Sequence, residues 1–337
     1  MQQITDLPFM GLIGEYGAPD YFFTEYFRVH PTSRLEKHIL RSVVDNRTGR
    51  PVFAQLMGQD PERLAEAARE LHAYPIAGID LNMGCPAPMI YKGNVGGGLL
   101  RDPDRVDQII GALRDATPGL FTVKMRIGFD STDNFQRILG ILNKHGIDLL
   151  SVHGRTVQDR YFGEVKYGRI AEAVRTMKCP VLANGNVTSA LRATAVLKET
   201  GAFGVMLGRH AIRNPWVFRQ CRQLWSGQPV SVVTHGQVRQ YIERLYRMLE
   251  EPNLPQEAQV SKAKRYLNFI GISVDPQGGF LFEMRRAHSE ADLFAVCDKY
   301  LLDNPDQPFA LEPYSGLSAR PNSERKAGAG APAQWCG

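Results

Sequence analysis

Apolar positions along this chain come in short runs, each followed by a stretch with helical spacing. "PVFAQLMG" (51–58), "GIDLNMGC" (78–85), "FTVKMRIG" (121–128), "LLSVHGRT" (149–156), "PVLANGN" (180–186) and "GVMLGRH" (204–210) read as buried strands. "YFFTEYFRVH" (21–30) is an earlier strand of the same kind. Asp60-Pro61 and Asp102-Pro103 each set a capping carboxylate before a proline at the first helical position. Leu64, Ala67, Ala68 and Leu71 then share one helix face, as do Val106, Ile109, Ile110 and Leu113. Further helices are expected near 133–145, 167–177 and 188–199. Near-continuous apolar strands alternating with helices predict an α/β fold with a parallel sheet covered by helices. Over residues 1–235 this pattern favours a TIM (β/α)8 barrel. An open dinucleotide-binding sheet would carry G-x-G-x-x-G after its first strand, and none is found. Seven strands are counted, not eight. The opening "MQQITDLPFMGLIG" reads as the loop and helix that follow a strand, so the barrel is expected to lack its first strand.

Past residue 235 the pattern turns helical throughout. Val238, Ile242, Leu245 and Leu249 are helix-spaced, as are Val260, Ala263, Leu267 and Ile270. Ser289 with Asp292 resembles a capping box. A small all-helical domain is expected over 236–303. From Asn304, Pro, Gly, Ala and Ser dominate without periodicity, so 304–337 is expected to be a disordered tail.

Composition adds limits. Hydrophobic residues make up 43% and charged residues 22%, which suits a soluble globular protein. No run approaches the ~18 apolar residues of a membrane span, and no signal peptide is visible. The five cysteines are scattered, with no CxxC and no His/Cys metal spacing, so neither a disulfide framework nor a metal is expected. A reduced cytoplasmic protein is the simplest reading. Net charge is +5, but its distribution says more. Residues 150–225 hold twelve Lys/Arg against four Asp/Glu, and residues 28–50 hold six against two. A phosphate-bearing partner and a merely solvated surface explain such excesses equally well.

The candidate chemistry gathers at the C-terminal ends of the strands, where a TIM barrel carries its active site. "ANGN" (183–186) and "LGR" (207–209) end the last two strands, the usual barrel phosphate position. Arg209 adds a bidentate contact there. Lys124 sits at a strand end inside the expected cavity, where burial calls for an anionic partner. The edge of a reduced flavin is such a partner. Gln55 and His153 suit other edges of a flat heterocycle, and together these residues suggest FMN. Cys85 lies past a strand end between Gly84 and Pro86. A thiol at neutral pH can donate a proton as well as act as a nucleophile. Cys179, Cys221 and Cys297 are read as inert core residues. The glycines at 93, 96, 97 and 98 suggest a loop that moves over the site.

"DLNMGCPAP…GGGLL", "VKMRIG", "VHGRT", "ANGN" and "VMLGR", in this order and spacing, resemble the tRNA-dihydrouridine synthase family over roughly residues 1 to 300. "KRYLNFIG…MRRAHS" is similar to that family's helical RNA-binding domain. The resemblance implies FMN at the barrel mouth, NADPH as reductant, and a uridine of tRNA as substrate. Hydride from the flavin reaches C6 of the uracil, and Cys85 protonates C5 as general acid. Gln55, Lys124, His153, Asn184, Gly185, Asn186, Gly208 and Arg209 match the family's flavin positions. Asn82 and Arg126 match positions near the substrate uracil, and Arg155 is placed beside them. A monomer is expected.

The family's first strand ends in Ala-Pro-Met, three residues before Thr-Asp. Here Met1 precedes Thr5-Asp6 by that spacing and takes the place of the flavin-contacting methionine. Without the preceding strand, the chain as written is expected to be unstable or weakly loaded with flavin. Two other readings compete with this one. A small-molecule flavin barrel, related to dihydroorotate or dihydropyrimidine dehydrogenases, would not need the helical region. A tRNA-binding protein with lost catalysis would not need Cys85, Lys124 and the phosphate loops.

Overall fold

The computed structural model describes residues 4–312. Met1 and residues 313–337 of the expected tail lie outside the described residues. The chain divides into two compact units. The first comprises residues 4–10, 19–187 and 192–207, and the second comprises 11–18, 188–191 and 208–312.

The first unit is built on a seven-stranded parallel sheet: β1 (Phe22–Arg28), β2 (Val52–Met57), β3 (Gly78–Met83), β4 (Leu120–Arg126), β5 (Leu149–His153), β6 (Val181–Asn184) and β7 (Gly204–Met206). Each strand pairs with the next in sequence. This is the order of a barrel wall, and the seven expected strands are the ones formed. Helical crossovers cover the sheet, as parallel neighbours require. Asp60 caps the helix Pro61–Leu71 by accepting from the Glu62 and Arg63 amides at 3.0 and 3.2 Å. Asp102 caps Pro103–Ala116 by accepting from the Arg105 amide at 3.0 Å. Each such cap contributes about 1 kcal/mol.

Strand period 2 sorts the side chains into two faces. Ile79, Leu81, Met83, Phe121, Val123, Met125, Leu150 and Val152 join Leu64, Ala68, Leu71, Val106, Ile109 and Leu113 of the helices in one core. Burying a Leu or Ile of this kind contributes about 1.5–3 kcal/mol. The alternate positions carry Gln55, Asp80, Asn82, Thr122, Lys124, Arg126, Ser151, His153 and Asn184. Registry makes these polar residues neighbours: Gln55 pairs with Asp80, Asp80 with Thr122, Asn82 with Lys124, Arg126 with His153, and His153 with Asn184. The sheet is thus apolar toward its helices and polar on its other face.

The second unit is helical. Its main helices are Val217–Trp225, His235–Met248, Gln256–Val274 and Glu290–Leu301. Val238, Ile242, Leu245, Leu249, Val260, Ala263, Leu267 and Ile270 are all buried, as their spacing requires. Ser289 and Asp292 form the expected capping box, and Thr234 with Gln237 forms a second one. The compact boundary falls earlier than residue 236. Trp216 and Tyr241 pack edge-on against Tyr16 and each other, so residues 208–235 consolidate with the helices that follow. The expected tail also begins too early at 304. Pro308–Phe309 pairs antiparallel with Val233–Thr234, and Phe309 is buried.

The glycine run after Cys85 differs from a mobile cover. Gly96–Arg101 is a short 3-10 helix in which Gly96, Gly97, Gly98, Leu99 and Leu100 are all buried. A Cβ at Gly97 would lie 2.5 Å from Val157 Cγ2 and 2.8 Å from the Cys85 carbonyl oxygen. The glycines are there because two backbone segments and Val157 leave no room for a side chain. Only the stretch before them is open, with Met89 89% exposed.

Candidate active site

Cys85 is the half-buried free thiol at the end of β3. One amide side chain builds its turn. Asn82 Oδ1 accepts from the Gly84 and Cys85 backbone amides, each at 3.0 Å. The buried Arg126 supports the same turn from β4. Its Nε donates to the Gly84 carbonyl at 3.0 Å, and its Nη1 donates to the Thr156 carbonyl at 2.7 Å. Both residues expected near the substrate therefore also shape the backbone that presents the thiol. Tyr26, Met57 and Ile90 form a small apolar cluster against which Cys85, Ala87 and Val95 pack. Burial raises the Tyr26 hydroxyl pKa, and the neighbouring Cys85 adds to the rise.

Behind Asn82 lies a residue that sequence reasoning passed over. Asp80 is fully buried in mid-strand. Thr122 Oγ1 donates to its Oδ1 at 2.6 Å, and Gln55 Nε2 donates to its Oδ2 at 2.7 Å. Gln55 Oε1 in turn accepts from Asn82 Nδ2 at 2.8 Å. Burial pushes the Asp80 carboxyl up to about 7, against the opposing hydrogen bonds from Thr122 and Gln55. Lys124 stands one pair further along the same face. Burial brings its ammonium down to about 8, and the Arg126 charge acts in the same direction while Asp80 opposes it. Lys124 makes no hydrogen bond or salt bridge with any described residue, so three donors remain for an anionic group. The signal for Asp80 was its place in the strand. A lone carboxylate inside an apolar run, two residues from Asn82, must point to the same face.

The later strands supply the rest. His153 is buried, and the Arg155 amide donates to its Nδ1 at 3.3 Å and to its carbonyl at 2.9 Å. Gly185 and Asn186 both have positive φ, +122° and +45°, so the backbone reverses tightly after β6. Tyr167 Oη donates to the Gly185 carbonyl at 2.7 Å and pins that reversal. Asn184 Nδ2 donates to the Met206 carbonyl at 2.7 Å. Arg155 donates from Nε and Nη2 to the Gly163 carbonyl at 2.8 and 2.6 Å, and from Nη1 to Asn186 Oδ1 at 3.3 Å. The structure thus brings Gln55, Asn82, Cys85, Lys124, Arg126, His153, Arg155, Asn184, Gly185 and Asn186 onto one strand-end region of the first unit. Gly208 and Arg209 open the short helix Arg209–Arg213 and belong to the second unit.

Parallel strands with helical crossovers, and polar side chains converging at their C-terminal ends, define an α/β-barrel enzyme. The sequence pattern of the Dihydrouridine synthase (Dus) family matches residues 1–276, and the chain belongs to that family. The tRNA-dihydrouridine synthase B of Yersinia pestis is 36% identical over 255 residues, covering 74% of this chain and 78% of that protein. The tRNA-dihydrouridine synthase B of Pasteurella multocida (strain Pm70) is 36% identical over 226 residues, 66% of this chain and 68% of that one. Among solved structures, histamine dehydrogenase from Rhizobium sp. 4-9 aligns with a TM-score of 0.53 at 14% identity, covering 91% of this chain and 60% of that one. That likeness is one of fold. Among the described residues, no helix is long and apolar enough to cross a membrane, and no group of His, Cys, Asp or Glu could hold a metal ion.

Proposed function

We propose that this chain is a flavin-dependent oxidoreductase that reduces a uridine of tRNA to 5,6-dihydrouridine. The observation that carries the reading is Cys85. Its thiol stands on a turn held by Asn82 and Arg126, near a half-buried lysine that no described residue hydrogen-bonds. Family membership and the names of the relatives support the substrate class.

The residues fit FMN. Lys124 offers a cation to the electron-rich edge of the ring, where the charge of a reduced flavin would repay the lysine's desolvation. Gln55 and His153 offer a polar wall to the ring. Asn184, Gly185 and Asn186, with the reversed backbone between them, offer amides to the phosphate. Gly208 and Arg209, which follow the next strand in sequence, match the family's flavin positions by sequence alone. Met1, matched to the flavin-contacting methionine, lies outside the described residues. When bound and reduced by NADPH, the flavin would supply a hydride to C6 of the uracil.

Cys85 supplies the other half of the reaction. Hydride addition at C6 leaves an electron pair at C5, and the thiol proton goes to that carbon. One hydride and one proton thus saturate the C5=C6 bond, and the resulting thiolate regains its proton from solvent. Asn82 and Arg126 hold the donor in place while the base enters. A uridine in folded tRNA must be extruded first, at a cost of a few kcal/mol. The basic excess over residues 28–50 and 150–225 offers phosphate contacts that offset it.

The test is Cys85→Ala. The variant should keep bound flavin, read from its visible absorbance. It should form almost no dihydrouridine in unmodified tRNA under NADPH. Normal product from this variant would remove Cys85 from the mechanism.

A further inference from the structure

The hydrogen bonds behind Cys85 run in one direction. Thr122 Oγ1 and Gln55 Nε2 both donate to Asp80, Asn82 Nδ2 donates to Gln55 Oε1, and the Gly84 and Cys85 amides donate to Asn82 Oδ1. Two primary amides stand in this chain, and each could be turned end for end with little change in shape. Their orientation must be imposed from outside. We propose that Asp80 is a positioning residue: as an obligatory acceptor at the closed end of the chain, it sets the polarity of Gln55 and Asn82. It thereby delivers a carbonyl oxygen, not an amide N–H, to the backbone of the Cys85 turn.

The physical argument is one of exclusion. A carboxylate oxygen facing Gln55 admits only its NH2 end, which turns Oε1 toward Asn82. That oxygen then admits only the NH2 end of Asn82, which leaves Oδ1 facing the turn. If either amide flipped, donor would face donor in a site where Asp80 and Asn82 are shut off from water, and an unmade bond there costs about 1–3 kcal/mol. The direction holds in either charge state of Asp80. A proton on Oδ1, toward the Thr122 hydroxyl, leaves Oδ2 an acceptor. Where Asp80 is ionised, its charge also favours the ammonium form of Lys124 on the same face, with no hydrogen bond between the two. Asp80 thus bears on both the thiol and the lysine without touching substrate.

The relay does not depend on the reaction proposed above. Only its catalytic consequence rests on that reading, so the test follows the thiol directly. The probe is the alkylation rate of Cys85 by iodoacetamide in the folded chain, read by peptide mass mapping. Dihydrouridine formation is measured in parallel. Asn82→Asp sets an acceptor against Gln55 Oε1 while Asp80 still holds the other end. The turn should loosen, and Cys85 should react at least fivefold faster. Adding Asp80→Asn reverses the whole chain: residue 80 donates to Gln55 Oε1, Gln55 Nε2 donates to residue 82, and a carboxylate oxygen again faces the Gly84 and Cys85 amides. The double variant D80N/N82D should return alkylation to within twofold of wild type, and D80A/N82D should not. The single change Asp80→Asn should have a smaller effect, because the Thr122 hydroxyl can accept as well as donate. Failure of Asp80→Asn to rescue Asn82→Asp would overturn the proposal, as would equal rescue by alanine, which would indicate charge relief alone. If Asn82→Asp does not fold, recovery of soluble protein in D80N/N82D replaces the rate as the readout, and no recovery counts against the relay. A wild-type chain that makes no dihydrouridine but shows the rescue would refute the function and leave the relay standing.

Discussion

Alanine at Gly97 places a methyl group where the fold has no space for one. Its Cβ would meet Val157 Cγ2 at 2.5 Å, the Cys85 carbonyl oxygen at 2.8 Å and Val157 Cγ1 at 3.0 Å. None of these can step aside easily. Val157 is fully buried, and its amide donates to the Gly128 carbonyl at 3.0 Å. The Cys85 carbonyl already accepts from the Gly97 amide at 3.2 Å. Forcing a methyl into such a site costs about 1–3 kcal/mol. Stiffening of the unfolded chain offsets about 0.4–1 kcal/mol of that. A net loss of about 1–2 kcal/mol corresponds to a melting temperature lower by about 2–8 °C for a domain of this size. Gly93→Ala is the control, since its nearest neighbour is the Ile90 carbonyl at 3.7 Å. It should melt at or slightly above the wild-type temperature. The assay is thermal unfolding followed by far-UV circular dichroism, with Cys85 alkylation measured on the same samples. If Gly97→Ala melts like wild type and leaves the thiol unchanged, the glycine run is not clamped between Val157 and Cys85. The sequence-based expectation of a moving cover would then be restored.

Two further outcomes follow from the buried charges. The Asp80 carboxyl lies at about 7 in the fold against an ordinary 3.8, so the folded chain holds a proton that the unfolded chain releases. Stability should therefore fall as pH rises from about 4 to about 7, by up to ~1.4 kcal/mol per pH unit. Lys124, brought down to about 8 from 10.5, acts in the other window, and stability should rise with pH above about 8. Urea midpoints across pH, compared with those of Asp80→Asn, check the acid limb; equal slopes in the two proteins would refute the assignment. Arg126→Met leaves the Gly84 and Thr156 carbonyls without their guanidinium donors, which should cost about 2–4 kcal/mol. A midpoint within about 0.5 kcal/mol of wild type would show that the turn does not depend on this arginine.

The legible part of this protein was local. Strand runs, helix faces and the caps at Asp60, Asp102 and Ser289 are set by residues within a few positions of one another, and each forms, although β5, β6 and β7 end before their runs do. The positions of Cys85, Lys124 and the 184–186 turn, in or just past the C-terminal half of a strand, were also legible. The role of Asp80 is not legible in the same way, although it lies only two residues before Asn82. Its meaning depends on Gln55, 25 residues earlier, and on Thr122, 42 residues later. Which unit residues 208–235 join is not legible for a similar reason. Residues 208–235 join the helical unit through Tyr16, Trp216 and Tyr241, which no local pattern brings together.

By itself, the sequence determined the alternation of strands and helices, which side of each element is apolar, and which residue types stand at the strand ends. Backbone periodicity and short-range capping decide these matters, and they act along the chain. The tertiary structure alone decided which polar groups face each other, which way the Gln55 and Asn82 amides point, and whether a glycine run moves or is packed. Those outcomes come from strand register and from close packing of segments distant in sequence, where a single backbone carbonyl or valine methyl a few ångströms away settles what a residue can do.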